Sequence, residues 1–325
     1  MSRWLVTLFA LLTLLGSLGS CVPPSFDPAS LVKGVRILAV RADQPYASPG
    51  NRVTLDVLAV DGRVQPTAPM KVYWLPQACI NPAHDAYYDC FADFPRQFSQ
   101  GVDLEASLVE SSQFSFQMPS DAITAHAPSG GEPYGLAFAF SIACTGHVRY
   151  DPALAGGAPD GVPFGCFDDT GVRLGDSDFV FAYAQVYSFD ERKNQNPVIT
   201  RVTYGPDIVD PEAGLTLAHC TASKIDDCPA TKFDVALSPD SQELNPGDLD
   251  GNGEPLKEQL YAAYFVSDGK LTDEVTILFD SREGRLANTG DEYRSPLTPG
   301  ERQLWLVVHD NRGGVTWQSV PLHVN

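Results

Sequence analysis

The feature that most constrains the fold of this chain is a repeated alternation of apolar and polar residues over short segments. In residues 52–60, Val53 and Leu55 fall on one face, whereas Thr54 and Asp56 fall on the other. A period of two is typical of a half-buried strand, because successive side chains point to opposite faces of a sheet. Similar segments recur to the end of the chain, joined by turns rich in Gly, Pro, Asn and Asp. This spacing predicts an all-β sandwich.

The last part of the chain resembles a known type of module. Residues 299–317 (PGERQLWLVVHDNRGGVTW) place an apolar strand on each side of the turn sequence 310–314. This segment resembles the final hairpin of bacterial immunoglobulin-like extracellular modules. The pair Pro49 and Gly50, followed by an alternating strand, resembles their opening hairpin. The resemblance implies an Ig-like β-sandwich, which is a fold that hosts many unrelated functions.

The order of the segments predicts two tandem Ig-like domains with disulfide-pinned loops. A chain of 325 residues suits one or two domains. The polar stretch 190–196 separates two series of strands. We therefore expect residues 33–195 to form the first domain, with long loop insertions, and residues 196–325 to form the second. Residues 21–32 contain three prolines, which exclude a regular helix, and are predicted to form a tether.

The N-terminal residues predict export. A basic residue, Arg3, precedes an apolar run at 5–15, and mostly small residues follow at 16–20. The apolar run is shorter than the roughly 20 residues that span a bilayer, so residues 1–20 are predicted to be a cleaved signal peptide.

The end of this signal resembles a lipoprotein processing site. The sequence Leu18-Gly19-Ser20-Cys21 resembles the lipobox of bacterial lipoproteins, which implies that Cys21 becomes the lipidated first residue, carrying groups such as palmitate. In that family an aspartate after the cysteine often marks retention at the inner membrane. Val22 stands there, so the resemblance implies a lipid anchor at the outer membrane of the cell envelope. The alternative is an ordinary signal peptide followed by a chance cysteine.

The remaining cysteines are expected to form disulfides. The chain has seven cysteines, so an even number remains once Cys21 is set aside, and an even set closes in an oxidising compartment. Pairing of sequence neighbours is the most economical arrangement: Cys79 with Cys90, Cys144 with Cys166, and Cys220 with Cys228. Metal binding by thiolates is the alternative, but the chain has no close Cys-x-x-Cys pair of the kind that structural zinc sites use.

One pinned loop is a candidate binding loop. Residues 145–178 form the longest of these loops, and loops held by a rigid scaffold often carry binding residues. The candidate contact residues are Tyr150, Phe164, Phe167, Asp168 and Asp169. The alternative is a decoration that only covers the edge of a sheet.

A second short segment is a candidate for weak calcium binding. Residues 248–254 (DLDGNGE) match the first half of an EF-hand-type loop, including Gly253 at its sixth position. The candidate ligands are Asp248, Asp250, Asn252 and Glu254. The match fails at position twelve, where Gln259 replaces the bidentate acid. A plain acidic turn is therefore the alternative.

The composition and the motifs limit the function classes. A formal net charge of −19 repels nucleic acid, so no nucleic-acid partner is expected. The histidines are scattered, no catalytic motif is present, and no cofactor beyond weak calcium is expected. We predict a non-enzymatic, lipid-anchored surface or periplasmic interaction or scaffolding module with a protein or glycan partner. The alternative is a carbohydrate-binding or carbohydrate-active accessory protein, and exposed aromatic residues aligned on one sheet face would favour sugar binding.

Overall fold

The computed structural model describes residues 27–66, 68–91, 103–127, 131–151 and 164–325. The predicted signal peptide and the lipidation residue Cys21 lie outside these described residues. The described part of the chain is almost entirely β-structure and forms two tandem sandwiches.

The first sandwich contains strands β1 to β11. Their bounds are Val35–Ala42, Tyr46–Ala47, Arg52–Asp61, Lys71–Trp74, Cys79–Ile80, Val109–Glu110, Gln113–Gln117, Gly135–Cys144, His147–Tyr150, Phe164–Phe167 and Phe179–Ser188. One sheet has the order β1-β3-β7, and the facing sheet has the order β2-β11-β8-β4-β6, with β5 also paired to β8. Strands β9 and β10 form a separate hairpin. A short helix, α1 (Leu104–Ser107), and two 3-10 turns, Ala83–Asp85 and Tyr87–Phe91, lie in the insertions.

The second sandwich contains strands β12 to β24. Their bounds are Ile199–Tyr204, Asp207–Ile208, Leu215–Leu217, Ala230–Leu237, Leu244–Leu249, Pro255–Lys257, Leu260–Val266, Lys270–Leu271, Val275–Asp280, Gly284–Arg285, Asp291–Arg294, Gly300–Asp310 and Val315–Val324. The sheet β13-β12-β15-β22-β19 faces the sheet β14-β24-β23-β18-β20-β21, while β16 and β17 form a hairpin. Two further 3-10 turns cover Ile225–Asp227 and Pro239–Ser241.

The two sandwiches share one topology. In each, a short early strand pairs in parallel with the last strand, β2 with β11 and β14 with β24, and the other strand pairs are antiparallel. Two facing sheets connected in this way define an immunoglobulin-like sandwich. The predicted fold class, two tandem Ig-like β-sandwiches, is therefore confirmed.

The alternation in β3 produces the first core as predicted. Val53 and Leu55 are buried in the core, where they pack with Trp74 and Phe114. On the opposite face, the hydroxyl of Thr54 lies 3.0 Å from that of Ser115 on β7. The second core is built in the same way around large side chains of β15, β18 and β22.

The outer face of β3 becomes apolar toward the end of the strand, where it contacts the second sandwich. Leu58 and Val60 of β3 are buried there against Trp305 and Val307 of β23. The guanidinium of Arg41 lies 4.4 Å from the ring centre of Trp317 at the same junction. The two sandwiches therefore share an apolar interface formed by the outer faces of two sheets.

The predicted linker is fixed by hydrogen bonds to both sandwiches. The side-chain amide of Asn196 donates to the backbone oxygen of Ala42 at 2.7 Å, and its oxygen accepts from the backbone N–H of Val315 at 2.8 Å. The backbone N–H of Gln195 donates to the carboxylate of Glu243 at 2.9 Å. These contacts hold the junction in one arrangement.

The end of the predicted tether is also attached to the fold. The backbone N–H of Val32 donates to the backbone oxygen of Val266, and the N–H of Val266 donates to Ser30, both at 2.8 Å. Val32 is fully buried at the junction. Residues 30–32 are thus part of the packed structure rather than a free spacer, because their backbone extends the second sandwich and their apolar side chain fills the interface.

Candidate functional site

Strand β8 is buried on both of its faces, and this determines where a binding surface can form. All ten residues of Gly135–Cys144 are buried. The alanines Ala137 and Ala139 face the sandwich core, whereas Phe138, Phe140 and Ile142 point outward. An antiparallel sheet commonly leaves one face in water. Here a second apolar layer covers the outer face, so the first sandwich has an additional core.

Two disulfide-pinned loops form this second layer. Disulfide bonds join Cys79 to Cys90, Cys144 to Cys166, and Cys220 to Cys228, which is the pairing of sequence neighbours. The first two of these bonds anchor the loops that carry Tyr87, Phe91 and Phe164 over β8. A disulfide restricts the unfolded chain and holds such a loop close to its anchor points.

The candidate binding loop mostly serves as part of this cover. Phe164 is 0% exposed, so it cannot contact a ligand from solvent. Tyr150 is half-buried against the same loop core. Phe167 is also half-buried, and the Arg149 guanidinium lies 5.8 Å from its ring centre. Residues 152–163 of this loop lie outside the described residues. The alternative of a covering decoration therefore describes the aromatic residues of the loop better than ligand contact does.

The two acidic residues of this loop have different partners. Asp168 accepts from the hydroxyl of Thr170 at 2.7 Å and the backbone N–H of Val172 at 2.9 Å, and these bonds lower the pKa of its carboxyl. Its role in the structure is to hold a turn. Asp169, in contrast, has a side chain that is 93% exposed and lies 2.9 Å from Nε2 of His147.

His147 links the pinned loop to helix α1. Its Nδ1 lies 2.9 Å from the Glu105 carboxylate, and Glu105 also accepts from the hydroxyl of Tyr73 at 2.8 Å. Hydrogen bonds to Asp169 and Glu105 raise the pKa of His147. Because a carboxylate lies beside each of its two ring nitrogens, the role of His147 here is to bind two insertions together.

The turn before Tyr87 is strained and tightly bonded. Asn81, His84 and Asp85 have φ values of 48°, 57° and 55°, which non-glycine residues rarely adopt. The Asp85 carboxylate accepts from the hydroxyl of Tyr134 at 2.5 Å and lies 2.7 Å from Nε2 of His126. Burial raises the pKa of Asp85, but these two hydrogen bonds outweigh it and hold the pKa below its usual value. The turn is therefore fixed in one conformation.

This fixed turn brings exposed tyrosines next to the last strand of the first sandwich. Tyr88 and Tyr183 are 51% and 44% exposed, and the ring of Tyr87 lies between them. Sequence reasoning did not identify these residues. The signal was present in β11, where Phe179, Phe181 and Tyr183 alternate with smaller residues, but the sequence does not show which of these rings the loops leave exposed.

A buried charged cluster lies at the junction of the two sandwiches. Glu258 and Asp310 are buried, and the Arg312 guanidinium lies 3.0 Å from the Glu258 carboxylate. Burial, followed by the nearby charge of Asp310, raises the pKa of Glu258 to about 7. Asp310 accepts from the side-chain amide of Asn194 at 3.1 Å and from backbone N–H groups of its own turn, while burial raises its pKa. The Arg312 guanidinium therefore pairs with Glu258, whereas the backbone N–H of Arg312 donates to Asp310.

Two grooves also lie at this junction. The larger, about 530 Å³, is lined by residues that include Arg63, Arg302 and Trp305. Arg63 pairs with Asp61 and Asp178, and Nε of Arg302 lies 2.8 Å from Asp268. Both guanidinium groups of this groove are thus already paired. The smaller groove, about 400 Å³, lies over Arg312 and Leu244.

The candidate calcium segment forms the β16–β17 hairpin. Oδ1 of Asp250 accepts from the backbone N–H groups of Asn252 and Glu254, at 2.8 and 3.0 Å, and these bonds, Glu254 first, lower the pKa of the carboxyl. Asp248 accepts from the side-chain amide of Asn245 at 2.7 Å. Within the described ranges, no group of three or more His, Cys, Asp or Glu residues is arranged to hold a metal ion. These bonds are those of an acidic turn, and calcium binding stays a prediction.

Comparisons with known proteins assign no family to this chain. No family model matches the chain, and no curated protein matches it. Among solved structures, the chain is similar to the fibronectin(III)-like modules of Clostridium thermocellum CbhA, with 11% identity and a TM-score of 0.21 over 88% of this chain and 94% of that one. It is also similar to a bacterial ice-binding adhesin, with 9% identity and a TM-score of 0.20 over 91% of this chain and 67% of the other.

A third neighbour, dimeric latent PorU from Porphyromonas gingivalis, has 13% identity and a TM-score of 0.21 over 91% of this chain and 24% of that chain. Superpositions this poor carry no argument about function, and the strand order alone carries the assignment to the Ig-like class. In the part of the chain that the structure describes, no helix is long and apolar enough to cross a membrane.

Proposed function

We propose that this chain is an exported lipoprotein, anchored at the outer membrane through Cys21, whose sandwiches act as a non-enzymatic interaction module. The observation that carries the proposal is the state of the cysteines. Six of the seven close as disulfides, which are typical of an oxidising compartment outside the cytoplasm. The cysteine left over is the one at the lipobox.

The geometry of the described residues supports binding rather than catalysis. The histidines His126 and His147, which contact carboxylates near the pinned loops, hold insertions in place. The junction between the sandwiches is apolar and hydrogen-bonded, so the module presents its surfaces in a fixed relation. A fixed surface loses little conformational entropy when it binds a partner. The partner is a protein or a glycan, and weak calcium at the β16–β17 hairpin is part of this proposal.

The intact mass of the protein purified from membranes of its native host tests the anchor and the disulfides together. We expect a chain that starts at Cys21, is heavier by its acyl groups, and gains the mass of about six hydrogens on reduction. Cys21→Ser is the matched variant, because it removes the attachment atom alone, and it should move the protein to the soluble fraction. A soluble wild-type chain that is cleaved elsewhere, or that has free thiols, would contradict the proposal.

A further inference from the structure

We propose that Tyr87, Tyr88 and Tyr183, together called the tyrosine platform, bind a neutral polysaccharide chain. The platform lies on the outer side of the β8–β11 sheet, at the margin of the loop anchored by Cys79–Cys90. This inference rests on the proposed function in one respect, because it takes the sandwiches to be a binding module. It does not depend on the lipid anchor.

The rings of the platform form a continuous aromatic surface. Tyr87 stacks on Tyr183, with ring centres 4.6 Å apart and an angle of 18° between the ring planes. Tyr88 and Tyr87 form a T-shaped pair, with ring centres 5.6 Å apart and an angle of 73° between the ring planes. Tyr88 and Tyr183 are among the most exposed aromatic residues of the described chain, at 51% and 44%. Apolar surface of this kind costs free energy in water, so its exposure needs a reason other than packing.

The platform is rigid on both sides. Tyr183 lies in the middle of β11, opposite Phe140 of β8, and its ring contacts Phe138 with centres 5.5 Å apart. On the loop side, the strained turn at Asp85 and the Cys79–Cys90 bond fix the position of Tyr87. Because the rings are held in place before a ligand arrives, binding costs little side-chain entropy.

The chemistry of the platform fits a sugar better than it fits another class of ligand. The exposed parts of the Tyr88 and Tyr183 rings offer apolar surface to the C–H side of a pyranose, and tyrosine hydroxyls can bond its hydroxyl groups. Gln185, exposed two residues along β11 from Tyr183, adds an amide whose Nε2 donates to Tyr187 at 2.8 Å and whose oxygen can accept from a sugar.

Charge selects a neutral polymer over an acidic one. The platform itself is uncharged, and the nearby His84 and Asp89 pair with each other at 3.2 Å. The chain as a whole has a formal net charge of −19, which repels polyanions at long range. A neutral polysaccharide is not repelled by this charge. A protein partner that docks its own apolar patch on the rings is the competing occupant, and the experiment separates the two.

Affinity electrophoresis in native gels tests the proposal. The full chain, in mild detergent, is run through gels that contain hydroxyethylcellulose, xyloglucan, laminarin or galactomannan, with dextran sulfate as the acidic polymer. We expect retardation by at least one neutral polymer and none by dextran sulfate. Tyr88→Ala and Tyr183→Ala should each weaken the retardation about tenfold, whereas Tyr88→Phe keeps the ring and should retain most of it. Ile208→Ala, at a site 70% exposed on the second sandwich, is the control and should change nothing.

Each other result overturns the proposal. The proposal is wrong if none of the four neutral gels retards the protein. It is also wrong if both alanine variants are retarded as strongly as the wild type. If the two alanine variants instead lose capture of a purified envelope protein while the gels show no retardation, the platform is a protein-docking surface. Melting curves of every variant separate lost binding from lost folding. If Tyr183→Ala unfolds, the retardation of Tyr88→Ala alone tests the proposal. A chain that proves to lack the lipid would leave this readout unchanged.

Discussion

The strands β8 and β23 occupy the same place in the two sandwiches, and both are buried on both faces over most of their length, but by different means. Each lies in mid-sheet beside the last strand of its sandwich. The outer face of β8 is covered by loops that disulfides anchor. The outer face of β23 is covered by the first sandwich, through Trp305 and Val307.

The two kinds of cover leave different surfaces available for binding. A cover made by another sandwich uses a sheet face for internal packing, and the interface at Leu58 and Val60 is the result. A cover made by loops ends at a margin, where rings such as Tyr88 and Tyr183 stay exposed. Pinned loops therefore both bury a sheet and create the surface for which we propose a ligand.

The largest expected effect comes from removing a ring at the centre of the loop cover. Phe140→Ala should lower the free energy of unfolding by about 4 kcal/mol, because Phe140 is fully buried against Phe91 and Phe181 and its loss leaves a cavity. Urea unfolding followed by fluorescence measures this. Phe140→Leu is the matched control and should cost much less. A loss near zero for the alanine variant would mean that the loops do not pack as a second core.

Removing the bond that anchors the longer loop should cost somewhat less. The variant Cys144→Ala with Cys166→Ala opens a loop spanning 22 residues and should lower the free energy of unfolding by about 3 kcal/mol. The equivalent change at Cys220 and Cys228 frees a shorter loop, spanning 8 residues, so we expect a smaller loss. Equal losses for the two variants would contradict the expectation that the bond closing the longer loop contributes more to stability.

The buried charges at the junction make the stability of the protein depend on pH. The pKa of Glu258, about 7 in the folded protein against 4.5 for the free side chain, means that the folded state holds a proton that the unfolded state releases between these values. Stability should therefore fall as pH rises from 4.5 to 7, by roughly 2–3 kcal/mol, and stay level above. Asp310 has a raised pKa and adds a change of the same sign, and the other charged groups that face Glu258 are Arg312 and Glu243.

Glu258→Gln isolates this effect. The variant should be more stable than the wild type at pH 8 and equal to it near pH 4, as thermal unfolding at both pH values will show. Glu292→Gln, at an exposed position of β22 away from this cluster, is the control and should not gain stability at pH 8. A Glu258→Gln chain with an unchanged pH profile would mean that the buried carboxylate keeps an ordinary pKa.

Calcium at the β16–β17 hairpin should give the smallest effect. For a site with millimolar affinity, 10 mM calcium stabilises the fold by about 1 kcal/mol, so the melting temperature should rise slightly relative to chelator. Asp250→Asn removes one charged ligand and should abolish the rise. An identical melting temperature in calcium and in chelator would leave the hairpin as an acidic turn.

The sequence predicts the sandwiches because strand alternation is a local property. Val53 and Leu55 face the core as their spacing requires, and neighbouring cysteines pair because they bracket short insertions. The sequence does not predict which apolar residues stay exposed, because that depends on what packs above them. The sequence predicts Phe164 as a ligand contact, but it is buried, whereas Tyr88, which the sequence does not single out, is exposed.

The sequence does not predict the interface between the two sandwiches, for the same reason. Leu58 and Val60 lie on the same face of β3 as the polar residues Thr54 and Asp56. Apolar side chains at these two positions indicate that a second layer covers that end of the strand. Likewise, the sequence predicts residues 30–32 as part of the tether, because the prolines before them exclude a helix. Their pairing with Val266 depends on a strand more than 230 residues away, as the positions show.

Hydrogen exchange measured by mass spectrometry, with and without a reductant, tests most directly the claim that the two sandwiches bury equivalent strands by different covers. In the oxidised protein, the amides of β8 and the central part of β23 should both exchange slowly. After reduction, exchange should quicken across Gly135–Cys144, because the loops lose their anchors, and stay slow in the centre of Gly300–Asp310, which the first sandwich covers. Equal acceleration of both strands, or of neither, would contradict the account.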